Sequence, residues 1–267
     1  MTPEVGSAGK IIASRRELHR STVQPTRSEE AEGGCGVVGL VSTVQVSGKH
    51  ILTPLAQMHN RGNGKGGGVA AVGLDPKQAG VTKEQLESDY LVQVAYLDPE
   101  SRAPVEKEFI DSNMIVHARA RMGPEHGKSK GEQGVFHPEV WRYFCRVKPE
   151  PLGKFAEDKG LEGMSLGKVE DEFVYQNSYR LNEKYYASLG EKKAFVLSHG
   201  KNLFVFKIVG YAEEAIHYYG LEEVKAHLWI GHQRYPTKGK VWHPGGAHPF
   251  IGLHEALVHN GDFANYY

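Results

Sequence analysis

The sequence predicts an α+β fold. Short β-branched runs dominate it, and its few amphipathic stretches fall between pairs of such runs instead of alternating with them one by one. Glycine clusters also end several apolar runs, as expected where strands give way to tight connections. At 267 residues the chain can bury a sizeable core, and its 40% hydrophobic content is that of a globular protein.

Residues 1 to 34 carry Arg15-Arg16 among scattered Glu, Ser and Thr with little periodicity, so a flexible, propeptide-like extension is expected there. The character changes at Gly33-Gly34. Gly36 to Val41 is an apolar run that reads as a buried strand, and the alternation at Val44 and Val46 as a second strand or its edge. Ile51 to His59 is amphipathic and reads as a helix. It leads through the glycine-rich stretch Asn60 to Gly68 into a strand at Val69 to Leu74.

Between residues 75 and 193 the pattern weakens. Strands are expected at Tyr90 to Leu97 and Met114 to Ala118, a helix at Val105 to Ser112, and long loops across 124 to 170. Together these predict an inserted β-α-β subdomain. Ala194 to Ser198 and Leu203 to Val209 flank His199-Gly200-Lys201-Asn202 and read as a hairpin. A helix at Ala212 to Tyr219, a strand at Ala226 to Ile230 and a last strand at Glu255 to His259 complete the elements.

Lys+Arg and Asp+Glu both number 32, a balance that argues against nucleic acid or an anionic membrane surface as partner. Cys35 and Cys145 are too few for a disulfide framework. No run approaches the ~20 apolar residues of a membrane span, and residues 1 to 34 lack the apolar centre of a signal peptide. A cytoplasmic protein is expected.

Four segments carry the chemistry: Gly34-Cys35-Gly36-Val37-Val38-Gly39, Asn60-Arg61-Gly62, Gly231-His232-Gln233-Arg234-Tyr235-Pro236-Thr237 and His259-Asn260-Gly261-Asp262. Each is weak alone, since a cysteine among glycines is usually a small buried residue and Asn-Gly is usually a turn. In this order, with Pro249-Phe250 before the last, they resemble the class-II glutamine amidotransferases, which are N-terminal-nucleophile hydrolases. Gly245 to Phe250 draws the resemblance toward the amidotransferase domain of glutamate synthase, especially its compact archaeal type. It is strong over residues 35 to 74 and 194 to 267.

The resemblance implies a four-layer αββα sandwich over residues 35 to 267 and hydrolysis of glutamine to glutamate and ammonia. Ammonia would pass to a synthase domain or subunit. FMN and iron–sulfur groups would belong to that partner, and no cofactor or metal is expected in this domain. Cys35 would be the nucleophile once cleavage after Gly34 frees its α-amine, whose reference pKa of about 7.7–8.0 suits a base at neutral pH. Asn260 and Gly261 would hold the oxyanion. Arg234 would grip the substrate carboxylate through its planar fork, with Thr237 beside it. Arg61 and Gly62 would stand under the cysteine. Resembling proteins continue past the position of Tyr267 with further helix, strand and an acidic residue for the substrate ammonium, so a truncated C-terminus is expected. Other readings are an amidotransferase for a different acceptor and a non-catalytic regulatory subunit of the same fold.

Three more features invite function. His243, His248, His254 and His259 lie close in sequence but without zinc spacing. Asn60 to Gly68 resembles a phosphate loop but lacks the following Gly-Lys-Ser/Thr, and its glycines are expected to permit close packing around the site. The alternate basic residues His117, Arg119 and Arg121 predict one exposed face of a strand, and Cys145 a core thiol.

Overall fold

The computed structural model describes residues 34–124, 136–187, 190–235 and 243–261, all within one compact unit, Gly33–Tyr267. It is a mixed α/β chain with antiparallel sheets. The first half runs β1 (Gly36–Ser47), α1 (Lys49–Gln57), β2 (Gly67–Leu74), the short α2 (Pro76–Ala79) and α3 (Lys83–Ser88), and β3 (Tyr90–Tyr96). Then come α4 (Arg102–Val105), which continues as a π-helical turn over Glu106–Asp111, β4 (Met114–Met122), β5 (Glu139–Val147), α5 (Pro149–Lys159) and α6 (Leu166–Tyr185). The remainder is β6 (Ala194–Lys201), β7 (Leu203–Ile208), α7 (Ala212–Tyr218), β8 (Lys225–Gln233), β9 (Phe250–Gly252) and β10 (Glu255–Leu257).

The first sheet has the order β1-β8-β2-β7 and the second β4-β5-β3-β6, while β9 and β10 pair alone. One hydrophobic cluster joins the sheets, with Val69, Val205 and Phe206 from the first and Leu91, Phe144 and Leu197 from the second. The buried Gln93 on β3 adds a polar tie, its Oε1 accepting from Val205 N–H at 2.8 Å. Helix α1 buries Ile51 and Leu55, one turn apart, against β8: a methyl group on Gly231 would lie 2.6 Å from Leu55 Cδ2. A second cluster fills the space between the second sheet and α5 and α6, with Tyr143 and Cys145 facing Phe155 and Phe173. Cys145 is thus a fully buried core thiol, and burial pushes its pKa up.

Several elements differ from the sequence expectation. Residues 36 to 47 form one strand instead of two, because the register irregularity between Val41 and Val46 breaks the alternation without ending the pairing to β8. The stretch 124 to 170, expected as loops, contains β5, α5 and the start of α6. Its Pro and Gly are helix punctuation: Pro149 opens α5, where a missing N–H costs nothing, and Gly160 closes it at φ 63°. The expected hairpin around residue 200 is a corner between sheets, since β6 pairs with β3 and β7 with β2. Asn202 makes that corner at φ 52°, its Oδ1 accepting from Leu74 N–H at 2.7 Å. The expected β-α-β insert is built as two short helices, a strand, a helix, two strands and two helices, and β6 completes its sheet.

Candidate active site

Three connections bring the sequence motifs to one end of the first sheet. Cys35 directly precedes β1, Arg234 directly follows β8, and these strands pair Gly36 with Gln233. Sheet register alone therefore sets the cysteine beside the arginine motif, 200 residues away in sequence. Tyr235 N–H lies 3.3 Å from Cys35 Sγ, a donor placed to favour negative charge on the sulfur. Arg234 and Cys35 are close enough to feel each other's charge, and burial draws the guanidinium pKa below its ordinary value.

The glycine-rich connection after α1 closes on the same point. Arg234 N–H donates to Gly66 O at 2.8 Å, and Arg234 O accepts from Asn63 N–H at 3.2 Å. A methyl group on Gly66 would lie 2.9 Å from Arg234 Cδ, and one on Gly62 would lie 3.0 Å from Gln233 Cβ. Small residues let the backbone wrap this closely. Gln233 ties together two helices: Nε2 donates to Leu55 O of α1 at 3.2 Å and to Glu213 of α7 at 2.5 Å, and Oε1 accepts from Ala212 N–H of α7 at 2.9 Å.

Gly34 sits within the cleft. Its N–H donates to Arg61 O at 3.3 Å, and a methyl group on it would lie 3.1 Å from Arg61 Nη2 and 3.9 Å from Asn260 Oδ1. Arg61 and Asn260 thus both approach Gly34, next to the Gly34–Cys35 peptide. Cys35 is half-buried, and Asn260 and Gly261 are exposed, so the cleft opens to solvent. Gly261 has φ 131°, which favours glycine. Cys35, Arg61, Gly62, Arg234, Asn260 and Gly261 therefore converge. Thr237, Asp262 and Tyr266-Tyr267 lie outside the described residues.

Lys207 and Tyr186, not singled out from sequence, line the floor with His232, His243 and His248. Lys207 on β7 is 4% exposed, and burial, with Arg234 nearby, pulls its pKa down to about 7. Its Nζ stands 4.1 Å from the centroid of the Phe250 ring. His232 is fully buried and pushed down to about 4, and His248 to about 3, burial being the first cause for both. Tyr186, pushed up to about 12 by burial, bonds to His243 Nδ1 at 2.8 Å. The sequence held one signal of this floor, a single lysine inside the apolar run Leu203 to Ile208.

Elsewhere, no group of three or more metal-ligating side chains converges among the described residues. A cavity of about 580 Å³ lies between the second sheet and α5 and α6, and none of the motif residues lines it. The basic residues of β4 meet acids: His117 with Asp89 at 2.6 Å, Arg119 with Asp111 at 2.5 Å and Arg121 with Glu139 at 3.5 Å. Among the described residues no helix is long and apolar enough to cross a membrane.

No family model matches the chain. It is similar to an uncharacterized protein of Archaeoglobus fulgidus, 32% identical over 253 residues, an alignment that covers 92% of this chain and 57% of that protein. The chain thus spans a little over half the length of that relative.

Proposed function

We propose that the chain is a glutaminase domain of the class-II amidotransferase kind, acting through Cys35 and delivering ammonia to a synthase partner. The observation that carries this reading is the convergence of Cys35, Arg61, Arg234 and Asn260, which come from four separate segments, around the Gly34–Cys35 peptide. Two face-sharing sheets with helices packed on them also suit the layered sandwich of N-terminal-nucleophile hydrolases.

In this reading the Gly34–Cys35 bond is cut first, because an amide nitrogen is no base. The freed α-amine takes the thiol proton, and Sγ adds to the side-chain amide carbon of glutamine. Negative charge gathers on the amide oxygen, facing Asn260 Nδ2 and the Gly261 N–H. The amine returns its proton to the departing nitrogen, ammonia leaves, and a thioester joins Cys35 to the glutamyl group. Water then hydrolyses the thioester to glutamate and restores the thiol. Arg234 holds the substrate α-carboxylate. Support comes from the floor of the cleft, where Lys207, with Arg234 nearby, would favour an anion above it.

The test is incubation with glutamine and assay of glutamate, alongside mass spectrometry of the active protein. Cys35 should be the first residue of the active form, Cys35→Ala should abolish hydrolysis, and Cys145→Ala should retain it. Hydrolysis surviving Cys35→Ala would discard the mechanism. Full activity from a chain still beginning at Met1 would discard the α-amine as base.

A further inference from the structure

We propose that His232 is a positioning residue for the oxyanion turn, holding Asn260 and Gly261 in place through the carbonyl of His259; this rests on the glutaminase reading. The geometry begins with a row across the first sheet. Lys207 is paired with Gly68, Gly68 with His232, and His232 with Val37. Directly opposite residues of a sheet share a face, so this row should present four side chains. It presents three. A methyl group on Gly68 would lie 2.4 Å from His248 O and 3.2 Å from Pro249 Cδ, so the vacant position admits the 248–249 backbone between Lys207 and His232.

That insertion encloses His232. Its Nε2 lies 3.0 Å from His259 O. A carbonyl only accepts, so Nε2 carries the proton, and the neutral ring is left with Nδ1 as a bare lone pair. Nδ1 is buried and has no hydrogen-bond partner among the described residues. The ring therefore makes a single bond, and that bond ends on the residue immediately before Asn260. The His248 ring packs against His232 at 4.6 Å between centroids and faces the His259 ring at 6.1 Å. Asn260 and Gly261 are exposed, and among the described residues a methyl group on Gly261 would meet His259, at 3.7 Å. The bond from His232 ties this backbone to the sheet that also carries Cys35, and so sets the distance between nucleophile and oxyanion donors.

The experiment compares His232→Leu with His232→Gln in the full chain. Leucine fills much of the space without a donor, whereas the glutamine amide can place an N–H near the former Nε2. His232→Leu should lower kcat roughly 10–100-fold, as for a displacement of about 1 Å in a catalytic constellation, with KM nearly unchanged. His232→Gln should recover most of the loss. Amide hydrogen exchange over residues 256 to 261 should quicken at least about tenfold in the leucine variant and stay near wild type in the glutamine variant. Undiminished kcat in His232→Leu, a glutamine variant as impaired as the leucine one, or equal exchange in all three would overturn the proposal. If the leucine variant does not fold, a folded His232→Gln that loses kcat more than about tenfold still overturns it. Absence of glutamine hydrolysis in the wild type would sink the glutaminase reading, while exchange would still decide whether His232 anchors the turn.

Discussion

Cationic groups are handled in opposite ways on the two sheets. On β4 and at Arg146 of the second sheet they meet carboxylates: Arg146 bonds to Glu170 at 3.2 Å, and His117, Arg119 and Arg121 each have an acid of their own. Lys207 and His232 of the first sheet lie in a cluster with His248, where the acting charges among the described residues are Arg234, His259 and one another. The first arrangement settles charge within the chain. The second gathers Lys207 and Arg234 beneath an open cleft, where an incoming anion or a thiolate would be favoured. In the proposed reading stability and catalysis draw on different regions of the chain, and substitutions should separate them.

The largest contrast should be between Asn260 and Glu170. Asn260→Ala should cut kcat by about 10²–10³-fold, the loss of one oxyanion donor, and barely move the melting temperature because the residue is exposed. Steady-state kinetics and thermal melting check both halves. Glu170 is 2% exposed and accepts from Val147 N–H at 3.0 Å as well as from Arg146. Glu170→Ala should cost roughly 3 kcal/mol in denaturant unfolding and leave the kinetics of the folded fraction unchanged. Should Glu170→Ala change kcat as much as Asn260→Ala does, the division between the regions is wrong.

Lys207→Met sharpens the comparison through pH. Folding lowers the lysine pKa from an ordinary 10.5 to about 7. Between those values the unfolded chain binds more protons than the folded one, so this residue makes stability rise with pH across that window. Below pH 7 both states are protonated and the penalty is at its greatest. The methionine variant should therefore be more stable than wild type at pH 6, by roughly 2–4 kcal/mol, and the gain should shrink toward pH 10. A gain independent of pH would mean that packing, not charge, distinguishes the two side chains.

The contrast also explains what the sequence could reveal. Cys35, Arg234 and Asn260 were legible because their glycine neighbours repeat an ordered pattern, and glycine is needed there for close approach. Lys207 and Gln233 were not, since their roles depend on which strand lies opposite, and a single sequence carries no register. The second sheet was the least legible part. Arg142 and Arg146 interrupt the apolar run of β5, and only the fold shows that they reach Ala79 O and Glu170. Strand identity at β6 and β7 was readable from β-branched and aromatic residues, but the partner of each was not, because a tight turn serves equally as a hairpin or as a corner.

The smallest effect is expected at Gly153, and a second glycine, Gly68, supplies the contrast at the scale of one methyl group. Gly153 lies inside α5, exposed, with nothing within 4 Å of an added methyl. Gly153→Ala removes backbone freedom from the unfolded chain and nothing from the folded one, so it should stabilise by about 0.5–1 kcal/mol. That corresponds to a rise of about 1–4 °C in melting temperature for a chain of this size. Gly68→Ala makes the same chemical change where the methyl would lie 2.4 Å from His248 O. The 248–249 backbone must then retreat from the slot between Lys207 and His232, so this variant should lose both stability and glutamine hydrolysis. Calorimetry on the two variants, with the glutaminase assay beside it, checks the pair. If Gly68→Ala melts no lower than wild type, the sheet has room under the cleft, and the packing that holds His248 against His232 is not what fixes the site.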